Sequence, residues 1–221
     1  MERIESVARV EVLVPEFTCS IIIATYGDDS WEALAHSRAL PSARSQPAHE
    51  VLIGHDPEGS VSSERNALAA EADGDWLCFL DGDDELAPGY LDAMQRALRQ
   101  ERRANGTPLL LTPAVSYVRK NLPGPTKFWP ECSLETGNWL VIGTLVPRKL
   151  FLKVGGFRDF AHGLEDWNLW ARCVRAGARI VKVRQAVYLA HWNSKSKHRE
   201  LAQNRSDYMV EYEKARLDAW A

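Results

Sequence analysis

The chain has 221 residues, 45% hydrophobic and 26% charged, with a formal net charge of -3, a balance that excludes disorder, collagen-like repeats and low-complexity arrays. Its apolar runs, such as Ile21-Ile22-Ile23-Ala24, fall far short of the about 20 residues that cross a bilayer. Residues Met1 to Glu16 alternate charged and apolar side chains, where a signal peptide would have a basic head and an apolar run. The expectation is one cytoplasmic domain without a transmembrane segment, and the small net charge argues against global attraction to nucleic acid or membrane.

In chain order, Cys19 to Thr25 is a β-branched run that stops at Tyr26-Gly27-Asp28, which predicts a strand. Trp31 to Leu40 has helical spacing and is expected to end before Pro41. Glu50 to Gly54 is a second short strand, and a polar loop runs from His55 to Ser62. Ser63 to Ala72 is a helix capped by Ser62 or Ser63, with Gly74 past its end. Asp75 to Leu80 is a third strand running straight into Asp81-Gly82-Asp83-Asp84-Glu85, and Pro88 opens a helix that Asn105-Gly106 closes.

The second part is less regular. Pro108 to Val118 and Trp139 to Val146 read as strands separated by a Pro/Gly-rich loop, Asn121 to Pro130. Arg148 to Val154 is a short helix stopped by Gly155-Gly156, and Glu165 to Ala176 is an amphipathic helix ended by Gly177. Strand character resumes at Ile180 to Val183 and at Ala186 to Leu189, and Ser206 to Trp220 is a terminal helix. The alternation predicts an α/β fold, a Rossmann-like, mostly parallel sheet flanked by helices with a smaller mixed region. Cys19, Cys78, Cys132 and Cys173 lack metal or redox spacing and read as reduced, buried filler. Arg179 to Arg205 is basic, with Glu200 its one acid, a tail that could meet phosphate.

Side chains at the carboxyl ends of sheet strands face the crevice where open α/β folds bind ligands. Asp81, Asp83 and Asp84 stand there, and two such carboxylates about 5 Å apart repel by roughly 3 kcal/mol at an effective dielectric near 20. A hard divalent cation, Mg²⁺ or Mn²⁺, removes that repulsion; the alternative is a solvated turn whose acids cap the next helix. Arg65 on the preceding helix could reach a phosphate or lie on the surface. Asp56 could accept from a ribose or base, or serve its turn. Thr25 and Tyr26 end the first strand at the same rim, where an aromatic can stack on a base. Trp129, Trp139, Trp167 and Trp192 are expected at the rim, in contact with acceptor or simply packed, and Trp76 and Trp170 in the core.

Taken in order, Ser20-Ile21-Ile22-Ile23-Ala24-Thr25-Tyr26, Glu64-Arg65-Asn66-Ala67 and Gly74-Asp75-Trp76-Leu77-Cys78-Phe79-Leu80-Asp81-Gly82-Asp83-Asp84 resemble the nucleotide-binding half of family 2 glycosyltransferases of the GT-A fold. Val154-Gly155-Gly156-Phe157 and Gly163-Leu164-Glu165-Asp166-Trp167-Asn168-Leu169-Trp170 are similar to the family's acceptor-side segment. The resemblance implies residues 19–106 as a nucleotide-sugar-binding half, 107–196 as an acceptor-side half and 197–221 as a helical tail. It implies that Asp81 and Asp83, around Gly82, hold a divalent metal against a nucleotide-sugar diphosphate, with His191 a further ligand as in some relatives. It gives Asp166 the role of catalytic base, against the alternative of simply capping its helix, and gives Thr25, Tyr26, Asp56 and Arg65 contacts to uracil, ribose and diphosphate. From its place in the first turn, Asp166 is expected to be kept ionised by the helix dipole, with Glu165 orienting the acceptor or capping the helix.

Two departures stand out: Ala67-Leu68 follows the Arg-Asn pair where a glycine is usual, and the loop His55-Asp56-Pro57-Glu58-Gly59 is not the commonest form. The Gln-X-X-Arg-Trp signature of processive synthases is absent, favouring one sugar per acceptor site. The implied donor is a UDP-sugar. The acceptor is a hydroxyl on a saccharide, a protein or a modified nucleic-acid base, with the basic tail raising the anionic options and Lys195-Ser196-Lys197-His198-Arg199 a candidate lid. A sugar-phosphate nucleotidyltransferase and a non-catalytic nucleotide-sugar-binding protein are the alternatives.

Overall fold

The computed structural model describes residues 17–101, 106–160, 163–192 and 205–221. Its elements are β1 (Cys19–Tyr26), α1 (Ser30–Ser37), α2 (Ala39–Arg44), β2 (Glu50–Asp56), α3 (Val61–Glu71), β3 (Trp76–Asp81), β4 (Glu85–Leu86), α4 (Tyr90–Glu101), β5 (Leu109–Arg119), β6 (Leu122–Pro123), β7 (Val146–Pro147), α5 (Arg148–Lys153), α6 (Glu165–Arg175), β8 (Arg179–His191) and α7 (Arg205–Trp220). The parallel-rich α/β architecture expected from the alternation is the one found.

Two four-stranded sheets are built, in the orders β2-β1-β3-β7 and β4-β8-β5-β6. β1 is buried along nearly its whole length, as a central parallel strand covered on both faces must be, and this explains its unbroken Ile21-Ile22-Ile23 run. The parallel register sets Tyr26 beside Asp56 and Ala24 beside Asp81, so three strand ends open on one rim. The acidic turn after β3 is where the chain crosses between sheets: β4 pairs antiparallel with β8, Glu85 opposite Leu189 and Leu86 opposite Tyr188.

Several expectations are corrected. The helix does not end before Pro41: it breaks at Arg38 (φ -121°, ψ -69°) and restarts as α2. Pro41 is then the third helical residue, where a backbone N–H would have no partner anyway. The cap of α3 is Ser60, which forms a reciprocal capping box with Ser63. Trp139 to Val146 is not a strand; it contributes one bridge, Leu111 to Leu145, ahead of β7. The two strands expected between Ile180 and Leu189 are one, β8, whose pairing with β5 jumps from Val183 opposite Pro113 to Val187 opposite Ala114. The residues between bulge because Pro113 cannot donate to the ladder. Cys19, Cys78 and Cys173 are buried as expected, but Cys132 is exposed. No helix among the described residues is long and apolar enough to cross a membrane. The close of the helix at Asn105 and the Lys195 to Arg199 run lie outside the described residues.

Candidate active site

The buried face of α3 carries Ser62, Arg65, Leu68 and Ala69, a helical spacing that points Arg65 inward with the apolar residues. Arg65 is 4% exposed. One of its nitrogens donates to Asp81 Oδ1 at 2.6 Å and another to Glu165 Oε1 at 3.1 Å, while its guanidinium carbon lies 5.0 Å from the centre of the Phe157 ring. Burial alone would lower its pKa, and the two carboxylates outweigh that and raise it. In this structure Arg65 is held by two carboxylates.

Asn66, next along α3, completes the junction. Its Nδ2 donates to the Phe157 carbonyl at 2.9 Å and its Oδ1 accepts the Phe157 N–H at 2.8 Å. Gly156 sits at φ +66°, and a Cβ there would come within 2.5 Å of Asn66 Oδ1, so glycine is required on both counts. The Arg-Asn and Gly-Gly-Phe motifs, separate in sequence, are two sides of one joint.

Asp81, Asp83 and Asp84 place their ligand-type oxygens within 4.8 Å of one another. Asp84 Oδ1 accepts the backbone N–H of His191 at 2.7 Å, and the Tyr188 hydroxyl accepts the Asp81 N–H at 3.3 Å. Burial, then the charges of Asp81 and Asp83, push the Asp84 carboxyl well above its usual range. Burial also raises Asp81, against the pull of Arg65. A crowded set of hard oxygen donors, with more negative charge than one arginine neutralises, fits Mg²⁺ or Mn²⁺. Asp84 was part of the acidic cluster that the sequence offered to a cation, though not of the ligand set that the resemblance implied. His191, expected as a ligand, is turned elsewhere: its Nε2 lies 2.5 Å from Glu85 Oε2, and its ring is not among the clustered groups. Gly82 is a spatial necessity, because a Cβ there would meet Thr25 Cγ2 at 2.7 Å and Ala35 Cβ at 3.0 Å.

Asp166 stands in the first turn of α6. Its Oδ2 accepts from Asn138 Nδ2 at 2.9 Å and its Oδ1 from the Trp167 N–H at 2.6 Å. The N-cap position is Leu164, not an acid. The expectation that the helix dipole keeps Asp166 ionised is overturned: burial, and next the charge of Glu165, push its pKa up to about 7. A carboxyl poised there suits general-base work. Asn138 is a partner that the sequence reading missed, since nothing local marks it.

Trp167 is corrected from rim to core. It is 2% exposed, its ring stacks on Tyr212 at 4.6 Å and its indole N–H donates to Leu134 O at 2.7 Å. Trp139 is buried too, as are Trp76 and Trp170 in agreement with expectation, whereas Trp129 and Trp192 are exposed. Thr25 is buried, its Oγ1 2.9 Å from His55 Nδ1, and Tyr26 is half-buried at the rim. Asp56 Oδ1 accepts the N–H groups of Glu58 and Gly59 at 3.1 and 2.8 Å, which is the turn role weighed above for a loop aspartate.

Beneath the base, Arg172 Nε donates to Asn168 Oδ1 at 2.8 Å and another of its nitrogens to Gly156 O at 2.5 Å. Asn168 Nδ2 donates to Ala215 O at 2.9 Å and to Asp218 Oδ2 at 2.8 Å. This buried network ties α6 to the glycine turn and to α7, giving Asp166 a rigid base.

Residues 49–119 match glycosyl transferase family 2, a span that contains Asp56, Arg65 and the three clustered aspartates. Among solved structures, S. aureus TarS 1-349 in complex with UDP-GlcNAc is similar at a TM-score of 0.62 and 15% identity, over 81% of this chain and 60% of that one. The same protein in complex with UDP gives 0.60 and 16%, over 88% and 65%, and a further S. aureus TarS structure gives 0.60 and 16%, over 83% and 38%. At these identities the likeness shows the fold. The chain spans less than two thirds of each of these structures. No curated protein matches it in sequence. The expected resemblance to family 2 glycosyltransferases of GT-A fold is borne out by the family match together with the fold.

Proposed function

Starting from a chain with a family 2 glycosyltransferase match on a GT-A fold, we propose that it moves one sugar from a UDP-sugar to an acceptor hydroxyl, with inversion at the anomeric carbon. The observation that carries this reading is that one buried arginine joins the acidic cluster to the neighbour of a carboxyl poised at about 7. The TarS structures bound to UDP-GlcNAc and UDP support the choice of donor. In this reading residues 19–106 hold the donor, 107–196 hold the acceptor and 197–221 form a tail.

Asp81, Asp83 and Asp84 would hold Mn²⁺ or Mg²⁺, whose charge offsets that of the departing diphosphate. Asp166 accepts the acceptor's hydroxyl proton as that oxygen attacks the anomeric carbon, while the bond from that carbon to the diphosphate breaks and its electron pair leaves with UDP. Asn138 and the Trp167 N–H hold the Asp166 carboxylate in one orientation. Arg65 and Asn66 keep the donor side in register with α6, and a near-attack geometry depends on that spacing.

The test is a donor screen by mass spectrometry on the purified chain with Mn²⁺. Release of UDP with transfer or hydrolysis of a UDP-sugar, lowered about 10²- to 10⁴-fold in Asp166→Asn, is the expected outcome. Full transfer activity in that variant would remove Asp166 as the base. Pyrophosphate release from a nucleoside triphosphate would instead make the chain a nucleotidyltransferase.

A further inference from the structure

The second sheet stacks positive charge on aromatic faces. Lys127 Nζ lies 5.2 Å from the Tyr117 ring centre and 4.4 Å from that of Trp129. Lys182 Nζ lies 5.3 Å from both Phe128 and Trp139, and the Arg184 guanidinium 5.4 Å from Phe128. Significant cation–aromatic contacts occur about once per 70 to 80 residues, or roughly three in a chain of this length; these five fall on one strip.

All three cations are exposed. Among the described residues, only Lys182 has a carboxylate partner, Glu131. The strip therefore presents positive charge that a bound anion would neutralise.

The strip also connects the two ends of the site. Tyr117, under Lys127, pairs with Ala190 on β8, next to His191, whose backbone N–H donates to Asp84 Oδ1 at 2.7 Å, so this end of the strip lies beside the acidic cluster. At the other end, Trp139, beneath Lys182, directly follows Asn138, the donor to Asp166. Trp129, against Tyr117 and Lys127, is 40% exposed, an indole able to take a sugar ring on its open surface.

We infer that this strip is the acceptor subsite and that the acceptor is an anionic saccharide, with a ring carried on Trp129 and a phosphate, sulfate or carboxylate met by Lys127, Lys182 and Arg184. The inference rests on the glycosyltransferase reading and names its acceptor class. A glycan bearing intermittent charge matches three cations on a chain of net charge -3, whereas nucleic-acid binders carry a strongly basic domain to meet a phosphate at every residue.

The test is equilibrium binding of the purified chain to fluorescein-labelled dextran phosphate, neutral dextran and a thymidine oligonucleotide, with UDP titrated in the presence of Mn²⁺ on the same samples. The phosphorylated dextran is expected to bind about tenfold more tightly than the neutral one, and to weaken with a log–log salt slope of about -2 to -3. Lys127→Ala with Lys182→Ala removes that preference, Lys127→Arg keeps it, and UDP binding does not change. Equal binding of the two dextrans, an unaltered preference in the double variant, or tighter binding of the oligonucleotide would overturn the inference. If UDP binds and dextran phosphate does not, the acceptor inference fails alone. If dextran phosphate binds through Lys127 but UDP never does, the donor reading fails and the strip stands as a site for anionic glycans.

Discussion

Arg65 on α3 and Glu165 at the start of α6, 100 residues apart in the chain, meet at 3.1 Å, and the same guanidinium holds Asp81 at 2.6 Å. One side chain therefore sets the distance between the acidic cluster and the helix that carries Asp166. The pairing lies largely out of water on the arginine side, so losing the cation leaves two partly buried carboxylates facing each other.

Replacing Arg65 by Gln is expected to cost about 3 to 5 kcal/mol of folding stability, as breaking a buried pair does, measured by urea unfolding. Arg65→Lys keeps the charge but not the two-pronged fork and should fall between that variant and the parent. A loss below about 1 kcal/mol, the range of an exposed pair, would show that the bridge is weakly held.

The Asp166 carboxyl, pushed up to about 7 by burial and then by Glu165, must lose its proton to act as base. The rate of transfer should therefore rise with pH through about 7 and then level. The stability trend has the opposite sign. The folded state holds this proton more tightly than the unfolded chain, so the contribution of Asp166 is fully present below about 4, its ordinary range, and is lost as pH rises through about 7. A pH–rate profile flat from pH 5 to 8, about three units around that value, would contradict the assignment.

Asn138 donates to the Asp166 carboxylate and so favours its charged form. Asn138→Ala should move the rising limb to higher pH and lower the rate at neutrality, with the KM for the donor little changed. A purely structural asparagine would change the rate without moving the limb.

Gly82→Ala tests the packing of the acidic turn on β1 and α1. The added methyl would press on Thr25 and Ala35, neither of which can swing aside, so the turn must shift. We expect a loss of about 1 to 3 kcal/mol by thermal unfolding, together with weakened Mn²⁺-dependent UDP binding.

Much of the donor side could be read in the sequence because its signals are local. The Ile21-Ile22-Ile23 run announces a central strand, and Asp81-Gly82-Asp83-Asp84 follows a strand directly, so strand ends and carboxylates fell where the residues said. The second sheet was harder. Trp139 to Val146 has the composition of a strand, yet its backbone joins one bridge and a two-residue pairing, a choice made by tertiary packing. Trp167 reads as a rim residue from its neighbours, but α6 is buried from Trp167 to Cys173, and only the cover provided by α7 explains that. The partners of Arg65 were hidden for a related reason: they come from β3 and from a helix 100 residues downstream, and no local pattern encodes the second. The pKa of Asp166 was misjudged because the helix dipole is visible in the sequence and the burial that outweighs it is not.

The most direct measurement is calorimetric titration of UDP into the purified chain with and without Mn²⁺, on the parent and on Asp81→Asn with Asp83→Asn. The account predicts binding that needs the metal and is lost in the double variant, while Asp166→Asn binds UDP as the parent does. Metal-independent binding of equal strength in the parent and the double variant would contradict it.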